Sequence, residues 1–513
     1  MSIFTPKKEM RIALCKECNF DCFFCHSEGL DRTGGDSRQP VEKILSLIDR
    51  AMEIGFSDIT FTGGEPLLRH KDLVRILNRI ESGNGMIPDL TVVSNASHVP
   101  PSVLDSARNY AGNIKFNVSL HSIHPERFRE IIRVETAIGT VLENIRRIAA
   151  AGIRVKLNSV VLNGLNSGSR NLQAFLATAR ELGAGGVKLL ELLITPANHH
   201  HYSYFYSDEA IRRDLEELGF IEQESTLRTR LYASPAYPDL PVEITRCTCK
   251  LGCTNCSEHR DRQFDSLLRI HPCFVLSQKS FDPGENRESL VVALEQVDSS
   301  IDRYAALYGN DSPVLVPHEA YVKNKSEIFF TSTKTPDECD AIMNRLGFKA
   351  RKKRSFHLIF CLPESADRDW EECRKVMKYG FDTHTPNKFE IIFSRDEYSV
   401  MNGHLVCTSS YMSEKPEEIP TNDIIQARQY IEAFGYRTWF EKSFHINDYM
   451  RHENGPAISI DHSTTPINLK MDVDTLKSED ASRLLGELDA EPVMIPFPLW
   501  LYSHRELKLP AAP

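Results

Sequence analysis

The run Cys18-Asn19-Phe20-Asp21-Cys22-Phe23-Phe24-Cys25 constrains this protein more than any other stretch of its sequence. Its spacing places three thiolates on one short loop. A cubane iron-sulfur cluster held by three protein thiolates keeps one iron open for a substrate or a cofactor. Zinc is the alternative, but zinc favours four closed ligands. Cys15 could supply a fourth ligand, yet it follows the apolar run 12–14, which predicts a strand entering the loop. The pattern therefore favours a redox cluster with an open iron.

A second motif follows about one βα unit later. Residues 59–69, Ile-Thr-Phe-Thr-Gly-Gly-Glu-Pro-Leu-Leu-Arg, form a β-rich run that ends in a glycine pair. Together with the cysteine loop, this run resembles the Gly-Gly-Glu-Pro motif of radical S-adenosylmethionine (SAM) enzymes. The resemblance implies that SAM binds the open iron and is contacted by Gly63, Gly64, Glu65 and Pro66. Because glycine lacks a Cβ, its backbone can approach a ligand closely.

Within those enzymes, residues 11–274 resemble the GTP 3′,8-cyclase of molybdenum cofactor biosynthesis. Four further segments look like that family's successive barrel strands: 91–95, 116–121, 155–161 and 187–192. Amphipathic stretches such as 71–80 and 141–150 predict helices between them. Each predicted strand ends in polar residues, and the carboxyl ends of the strands carry the active site in a (β/α) barrel. The resemblance implies an α/β fold, a partial (β/α)6 TIM-type radical SAM barrel.

The resemblance also assigns roles to single residues. The positions that match further cofactor-binding positions of the family are Ser94, Asn95, Ser119, Lys188 and Glu191. The substrate contacts that it implies are Arg11, Arg69, Lys156, Arg260 and Arg262. Guanidinium groups suit phosphate because their donors fit its oxygens bidentately. We therefore predict hydrogen abstraction from a purine nucleoside triphosphate, followed by cyclisation or rearrangement.

Cys253, Cys256 and Cys273 form a second set of three thiolates. In the resembled cyclase such a trio holds an auxiliary 4Fe-4S cluster whose open iron faces the purine. Here the gap to the third cysteine is longer, and Cys247 and Cys249 add possible ligands upstream. A fourth ligand would make the cluster a redox relay without an open iron. Zinc also remains open, because Cys-x2-Cys beside further cysteines is a zinc-ribbon pattern.

The composition is typical of a redox enzyme of the cytoplasm. Nine of the 13 cysteines lie in the two groups, which indicates metal ligation and not a disulfide framework. Residues 1–8 lack the apolar core of a secretory signal, and no apolar stretch approaches about 18 residues, so we expect no membrane span. The formal net charge of -10 argues against nucleic acid as the main partner. The expected partners are the nucleotide substrate and a reductase such as flavodoxin or ferredoxin.

The length of 513 residues suggests about three structural units, and breaker-rich runs near 283–286 and 309–313 mark the boundary before the C-terminal half. We predict a radical SAM core over 1–225, an auxiliary-cluster extension over 226–285, a linker helix over 286–312 and a C-terminal α+β domain over 313–513. In this last domain the patterns predict strands near 327–331, 356–360, 389–393 and 457–460, and helices near 336–346 and 422–434.

The C-terminal domain contains a faint internal repeat. Gly347-Phe348 followed by Ser355-Phe356-His357 recurs, at the same spacing, as Gly435-Tyr436 followed by Ser443-Phe444-His445. The order of elements loosely resembles the CYTH-type triphosphate tunnel domains, in which a closed antiparallel barrel lines its lumen with charged residues. The lumen residues that this resemblance implies are Lys323, Lys353, Arg354, Glu390, Arg395, Lys442 and Asp461. The basic run 349–354 also fits a solvated face, as most charge runs do.

Two other functions fit the same patterns. One is a radical SAM maturase of a ribosomally made peptide, whose C-terminal half would bind a leader peptide. The other is a non-enzymatic binding module stabilised by zinc. Adjacent histidines do not share a face, so residues 199–201, three histidines, predict a solvated loop before a helix at Ser207. The scattered thiols are expected to be buried or free, namely Cys339, Cys361, Cys373 and Cys407.

Overall fold

The computed structural model divides the chain into two compact units. The first comprises residues 1–315 with 433–435, and the second comprises residues 316–432 with 436–513. The structure describes residues 9–25, 38–81, 87–194, 198–258, 262–273, 279–308, 323–363, 375–411, 416–419, 421–452, 457–476 and 479–504. The predicted finer division of the first unit stays a prediction.

Eleven strands of the first unit form one sheet. They are β1 (Glu9–Cys15), β2 (Asp58–Gly63), β3 (Asp89–Ser94), β4 (Ile114–Ser119), β5 (Arg154–Val160), β6 (Val187–Leu190), β7 (Ile221–Ser225), β8 (Thr229–Ser234), β9 (Tyr237–Thr245), β10 (Arg262–Phe264) and β11 (Ile270–His271).

The helices of this unit follow the strands in alternation up to β6. They are α1 (Val41–Glu53), α2 (His70–Glu81), α3 (Pro101–Asn109), α4 (Pro125–Ile132), α5 (Ile138–Ala150), α6 (Ser169–Glu181), α7 (Asp208–Glu217), α8 (Cys253–Glu258) and α9 (Arg287–Tyr308). Three 3-10 turns add to them: Pro66–Arg69, His199–Tyr204 and Thr248–Leu251. Among the described residues, no helix has both the length and the apolar character needed to cross a membrane.

The strands β1 to β6 lie side by side in chain order and are all parallel. Such an order requires a crossover helix after each strand, which is the (β/α) arrangement that the sequence predicted. The strand β9 continues the parallel set beside β6, and β10 does so beside β1. The predicted partial (β/α)6 barrel is therefore confirmed.

Alternation along β5 shows which face points into the barrel. Val155 and Leu157 are buried, whereas Lys156 and Asn158 alternate with them on the other face. Ser159, on the same face as Val155, lines a small cavity together with Phe175 and Leu172 of α6. The helices therefore cover the apolar face, and the polar positions point inward.

The second unit is an antiparallel sheet with helices, which confirms the predicted α+β class. Its strands are β12 (Lys323–Ser332), β13 (Lys349–Pro363), β14 (Lys375–Asp382), β15 (Glu390–Met401), β16 (His404–Tyr411), β17 (Glu417–Glu418), β18 (Tyr436–Met450), β19 (Ile458–Asp461), β20 (Ile467–Asp472) and β21 (Glu491–Pro492). Its helices are α10 (Pro336–Arg345), α11 (Ile424–Ala433), α12 (Val473–Leu476), α13 (Glu479–Glu487) and α14 (Phe497–Ser503).

Eight of these strands close into a ring. The order is β13-β18-β19-β20-β12-β16-β15-β14, and β14 pairs with both β15 and β13. A closed ring leaves no unpaired edge on these strands. The ring agrees with the predicted antiparallel barrel, while the CYTH resemblance itself stays a prediction. Three of the scattered thiols are buried as expected, Cys339, Cys361 and Cys407, and Cys373 lies outside the described residues.

The two copies of the internal repeat pair with each other in this ring. β13 follows α10 and β18 follows α11, and the two strands are antiparallel with Phe356 opposite Phe444. Ser355 and His445 contact each other at 3.0 Å, and so do His357 and Ser443. The repeat thus forms a symmetric strand pair about the two phenylalanines.

Candidate active site

The cysteine loop leaves β1 at the carboxyl end of the barrel and is held by α4. The backbone N–H groups of Asp21 and Phe23 donate to the carbonyls of Ile132 and Ile131 at 3.0 and 3.2 Å. The ring of Phe23 also lies below the guanidinium of Arg133, at 5.5 Å. The last turn of α4 has free carbonyls to offer, because no further turn follows it. These contacts fix the loop without using its thiols.

None of the three predicted ligands is a buried residue. Cys18 and Cys22 are half-buried and Cys25 is exposed. The Sγ of Cys18 accepts from the Phe20 N–H at 3.4 Å and from the Asn95 amide at 3.9 Å. Cys15 differs, because its thiol is buried and donates to the Glu65 carbonyl at 3.2 Å. Burial raises the pKa of Cys15 to about 12, so this thiol stays protonated and supports the loop structurally.

The glycine pair packs against the backbone that leads into this loop. A Cβ on Gly63 would lie 2.3 Å from the Cys15 carbonyl, and one on Gly64 would lie 2.0 Å from the Glu17 carbonyl. The Gly64 N–H donates to the Cys15 carbonyl, and the Glu65 N–H to the Glu17 carbonyl, both at 2.8 Å. Close approach to a ligand was the predicted reason for these glycines. The structure gives a different one: close approach to the cysteine loop.

Substitution of Gly64 by alanine should therefore displace the cysteine loop. The added methyl group meets backbone atoms on the opposite side, which cannot rotate away as a side chain would. We expect the Gly64→Ala protein to bind less than half the iron of the parent after anaerobic reconstitution, as measured by iron and sulfide content. Gly139→Ala in α5 is the matched control, since nothing lies within 4 Å of its added Cβ. Equal iron in Gly64→Ala and parent would contradict this account.

Glu65 joins the ends of β2 and β3 through its carboxylate. Its Oε1 accepts from the Ser94 hydroxyl at 2.8 Å and the Leu67 N–H at 3.0 Å, and Oε2 accepts from the Asn95 N–H at 2.7 Å. Burial raises the pKa of Glu65 to about 7, although these hydrogen bonds oppose the shift. Asn95 in turn donates to Asn19 in the cysteine loop at 2.8 Å. Glu65, Ser94 and Asn95 thus position the loop, and their predicted contact with SAM stays a prediction.

Arg69 does not point to a substrate, contrary to the prediction. Its side chain is buried and donates to Asp72 at 2.8 Å, to the Leu14 carbonyl at 2.8 Å and to the Gln39 carbonyl at 2.8 Å. All three guanidinium nitrogens therefore bind acceptors within the protein. Arg69 ends the 3-10 turn that Pro66 begins. Through its hydrogen bond to the Leu14 carbonyl, Arg69 connects this turn to β1.

Three charged side chains meet inside the barrel, and one of them was missed in the sequence. Glu243 of β9 binds the Nζ of Lys156 through Oε2 and the Nζ of Lys188 through Oε1, the latter at 3.1 Å. Burial disfavours the Glu243 carboxylate, but Lys188 and Lys156 outweigh it and lower the pKa of Glu243 to about 2. Burial lowers the pKa of Lys188. The side chains of both lysines are partly exposed, 30% and 26%, so a ligand can reach them.

Neutral polar groups border this cluster. The strand register places Ser119, Asn158, Lys188 and Glu243 side by side in one row across β4, β5, β6 and β9. The buried Oδ1 atoms of Asn158 and of Asn117 have no hydrogen-bond partner in the described structure. Arg11 points to the same interior, nearer the amino end of its strand, and lies 3.8 Å from Glu9. The interior therefore combines the predicted Arg11, Ser119, Lys156 and Lys188 with the unpredicted Glu243.

A buried ion network surrounds Glu191. Its carboxylate accepts from Lys250 at 2.9 Å, from the Asp208 N–H at 2.7 Å and from the Cys247 N–H at 3.0 Å. Lys250 also lies 3.4 Å from the Asp208 carboxylate, which pairs with Arg246 at 3.1 Å. Glu191 was predicted to bind the cofactor. In the structure it anchors the segment that carries Cys247 and Cys249 to the end of β6.

The second cysteine group assembles from three short elements. Cys247 precedes the 3-10 turn Thr248–Leu251 and Cys249 lies within it, Cys253 and Cys256 lie on α8, and Cys273 follows β11. The thiols of Cys247 and Cys249 share a hydrogen bond. Both cysteines lie directly before α8 and therefore remain additional ligand candidates beside Cys253, Cys256 and Cys273.

One of the paired arginines predicted beside this group, Arg262, lies among the described residues. Arg262 is 1% exposed and pairs with Asp298 of α9 at 2.6 Å, so it is a buried structural cation. A lone buried charge is costly, and Asp298 offsets that cost. Arg260 lies outside the described residues.

The three histidines do not form a solvated loop. They begin the 3-10 turn His199–Tyr204, and the ring of His201 packs against Phe23 of the cysteine loop at 4.9 Å. On the other side of the loop the ring of Phe24 meets His121 at 4.9 Å. Burial lowers the pKa of His121 to about 4, so this imidazole is neutral. Both histidines support the loop aromatics.

The cysteine thiols of the first loop suit the iron atoms of an iron-sulfur cluster. In the part of the chain that the structure describes, no three His, Cys, Asp or Glu side chains are gathered around one point as ligands of a single metal ion. The first loop nevertheless offers three accessible thiols that are free of disulfides, and the Asn95 amide and the Phe20 N–H donate to Cys18. Hydrogen bonds to thiolate sulfurs are a usual feature of cluster ligands.

Comparisons with known proteins agree with this site. The family described as the radical SAM superfamily matches residues 12–175. A protein of Thermococcus kodakarensis named "Probable GTP 3',8-cyclase" is 31% identical over 298 residues, which are 56% of this chain and 92% of that protein. This chain is a radical SAM protein of the GTP 3′,8-cyclase family. The radical SAM family uses a 4Fe-4S cluster and SAM, so these are cofactors of this chain, and their binding at the cysteine loop stays a prediction.

Further matches to this radical SAM protein are shorter or more distant. The "GTP 3',8-cyclase" of Aquifex aeolicus is 34% identical over 163 residues, which are 31% of this chain and 50% of that protein. Among solved structures, SuiB of Streptococcus suis superimposes with a TM-score of 0.45 at 14% identity, over 58% of this chain and 68% of SuiB. That likeness is too distant to carry an argument about function.

Proposed function

We propose that this radical SAM enzyme acts on a purine nucleoside triphosphate and closes or rearranges it after hydrogen abstraction. The observation that carries the proposal is the match over 92% of a relative whose name states GTP as substrate. When bound, the cluster and SAM supply a 5′-deoxyadenosyl radical that abstracts a hydrogen atom from the substrate. The protein holds the cysteine loop in place, orients the substrate inside the barrel and excludes water.

The charges inside the barrel support an anionic substrate. Lys156 and Lys188 share the single carboxylate of Glu243, which leaves this cluster with one net positive charge. Glu243 keeps both ammonium groups oriented while no anion is present. A phosphate can replace the carboxylate as acceptor, because ammonium groups bind phosphate as compact point charges. The neutral amides of Asn117 and Asn158 lie beside the same space and suit the sugar or the base.

Five cysteines at the second site favour a cluster with a complete protein ligand set. We propose that Cys253, Cys256 and Cys273 ligate it together with Cys249, which lies in the 3-10 turn directly before α8. Such a cluster has no open iron and serves electron transfer from a flavodoxin or ferredoxin. If Cys249→Ser left the iron content and the Mössbauer spectrum of the second cluster unchanged, the fourth ligand would not be Cys249.

The substrate class is tested by quantifying 5′-deoxyadenosine. The anaerobically reconstituted enzyme receives SAM, a strong reductant and each nucleoside triphosphate in turn. Stimulation by GTP or another purine triphosphate, with consumption of that nucleotide, supports the proposal. Stimulation by peptides alone would identify a peptide maturase, and equal SAM cleavage under all conditions would refute a nucleotide substrate.

Removing the charge of Lys156 should weaken substrate binding selectively. A charge-assisted hydrogen bond contributes about 1.5–3 kcal/mol, so we expect Lys156→Met to raise the apparent KM for the triphosphate about tenfold to a hundredfold. Lys71→Met is the matched control, because Lys71 is exposed on α2 and far from the barrel interior. An unchanged KM in Lys156→Met would remove this lysine from the substrate site.

A further inference from the structure

The ring of strands in the second unit encloses a cavity of about 150 Å³. One end of the cavity is apolar. There Phe329, Phe360 and Phe444 belong to a buried cluster that Leu501 of α14 completes, and the rings of Phe329 and Phe497 stack at 3.9 Å. Since α14 covers this end, the apolar side chains form a closed floor. An apolar cavity of about this volume holds a benzene-sized group.

A row of polar side chains crosses the other end. The strand register places Arg354 beside Ile446, Ile446 beside Asp461, and Asp461 beside Asn468, and all four line the cavity. Side chains at paired positions point to the same face of a sheet. Of the seven lumen residues that the sequence implied, Arg354 and Asp461 line the cavity in the described structure.

The other five implied positions give a mixed result. Lys353 is exposed, because strand alternation turns it away from the face of Arg354. Lys442 and Glu390 are not among the lining side chains, and the side chains of Lys323 and Arg395 lie outside the described residues. The lining cations that the sequence did not indicate are Lys378 and Lys470.

One anionic and one cationic side chain of this row each keep a buried polar atom without a hydrogen-bond partner in the described structure. Asp461 is 4% exposed, and its Oδ1 accepts from Ser463 while its Oδ2 has no hydrogen-bond partner in the described structure. The Nε of Arg354 is likewise buried without a partner, although its Nη2 binds Asp448 at 2.8 Å. Unmatched buried polar atoms are costly and are therefore rare in folded proteins. A ligand that carries a donor and an acceptor would satisfy both.

The neighbouring charges have the same dipolar arrangement. Glu327 is bracketed by Lys470 at 3.0 Å and Lys325 at 2.6 Å, so two ammonium groups share its one carboxylate and leave a local positive excess. Among the described lining residues, three are cationic (Arg354, Lys378 and Lys470) and three are anionic (Glu327, Asp396 and Asp461). A triphosphate would need a clear positive excess, whereas a zwitterion matches equal numbers of both signs.

We propose that this lumen binds a free α-amino acid with an apolar side chain. Its ammonium group pairs with Asp461, its carboxylate with Arg354 and Lys470, and its side chain fills the space above Phe444 and Leu501. The cavity volume accommodates a side chain the size of phenylalanine, leucine or methionine. The proposal concerns a site separate from the radical chemistry and does not depend on which substrate the first unit uses.

Calorimetric titration of the full-length protein tests the proposal. The probes are L-phenylalanine, L-leucine and L-methionine, with 3-phenylpropionate lacking the ammonium group, phenylalanine amide lacking the carboxylate, glycine lacking the side chain, and inorganic tripolyphosphate. We expect saturable binding of at least one apolar amino acid and at least about tenfold weaker binding of its two truncated forms and of glycine. Binding of tripolyphosphate in preference to every amino acid, or no binding of any amino acid, would overturn the proposal.

Three variants locate the site. Asp461→Asn keeps Oδ1 as an acceptor for Ser463 but loses the charge, so we expect about tenfold weaker binding or more. Leu501→Trp fills the apolar end and should abolish binding. Asp382→Asn is the matched control on an exposed strand end of β14 and should bind like the parent. Unchanged affinity in both Asp461→Asn and Leu501→Trp would place any amino-acid binding elsewhere and refute this site.

Discussion

We expect replacement of Cys18, Cys22 and Cys25 together by alanine to abolish SAM-dependent formation of 5′-deoxyadenosine. These thiols are the accessible ones on the loop, and the contacts that hold the loop to α4 use backbone groups and aromatic rings. The triple variant should therefore fold with the loop in place but without ligands for its cluster. Because the cofactor carries the radical chemistry, product formation should fall below the detection limit.

Cys15→Ala provides the matched control for this experiment. Cys15 lies only three positions before Cys18, yet its thiol is buried and donates to the Glu65 carbonyl. Alanine removes that weak hydrogen bond and leaves a small void, so we expect nearly full iron content and activity. Iron content and 5′-deoxyadenosine are measured on both proteins. Loss of the cluster in Cys15→Ala, or its retention in the triple variant, would contradict the assignment of the ligands.

Replacement of Lys250 by methionine should give the largest loss of stability. Lys250 is almost fully buried and lies between the Glu191 and Asp208 carboxylates, at 2.9 and 3.4 Å. Arg246 remains beside Asp208, but Glu191 would lose its cation and stay buried. Breaking a buried ion pair in this way costs about 3–5 kcal/mol of the free energy of unfolding. Urea unfolding of the anaerobic protein, followed by circular dichroism, measures the change.

A double variant separates the effect of charge from that of packing at Lys250, and a variant on α7 serves as a control. Glu191→Gln combined with Lys250→Met removes the uncompensated charge, and we expect it to recover part of the lost stability. Arg212→Met is the control for an exposed ion pair, since Arg212 pairs with Glu209 and Glu216 on the surface of α7. Its loss should be about 1 kcal/mol or less. Equal losses in Lys250→Met and in the double variant would mean that packing alone explains the effect.

The sequence predicted the barrel well because its signals are local. The strands from β1 to β6 are short and rich in apolar residues, and the helices between them have amphipathic spacing. The cysteine spacing is local as well, since all three ligands lie within eight residues. Such patterns lie within short segments of sequence and can be recognised without knowledge of long-range contacts. The fold of the first unit and its cysteine loop could therefore be predicted from the sequence.

The roles of single polar residues were less predictable. Arg69, Glu191 and Arg262 were expected to touch a substrate or cofactor, and each is buried in contacts with the protein itself. Their partners, such as the Leu14 carbonyl and Asp298, are distant in the sequence. A motif position identifies a residue type and a place on a strand, but it does not show which acceptors the fold brings within hydrogen-bond distance.

By itself the sequence determined the thiolate loop through its cysteine spacing, and the (β/α) order of the first unit through apolar periods together with the resemblance to radical SAM enzymes. The tertiary structure alone decided that Glu243 joins Lys156 and Lys188, that Gly64 meets the cysteine loop and that Phe356 lies opposite Phe444 in the ring. Each of these joins residues far apart in the chain. Contacts of this kind depend on strand register and close packing, which only the folded chain fixes.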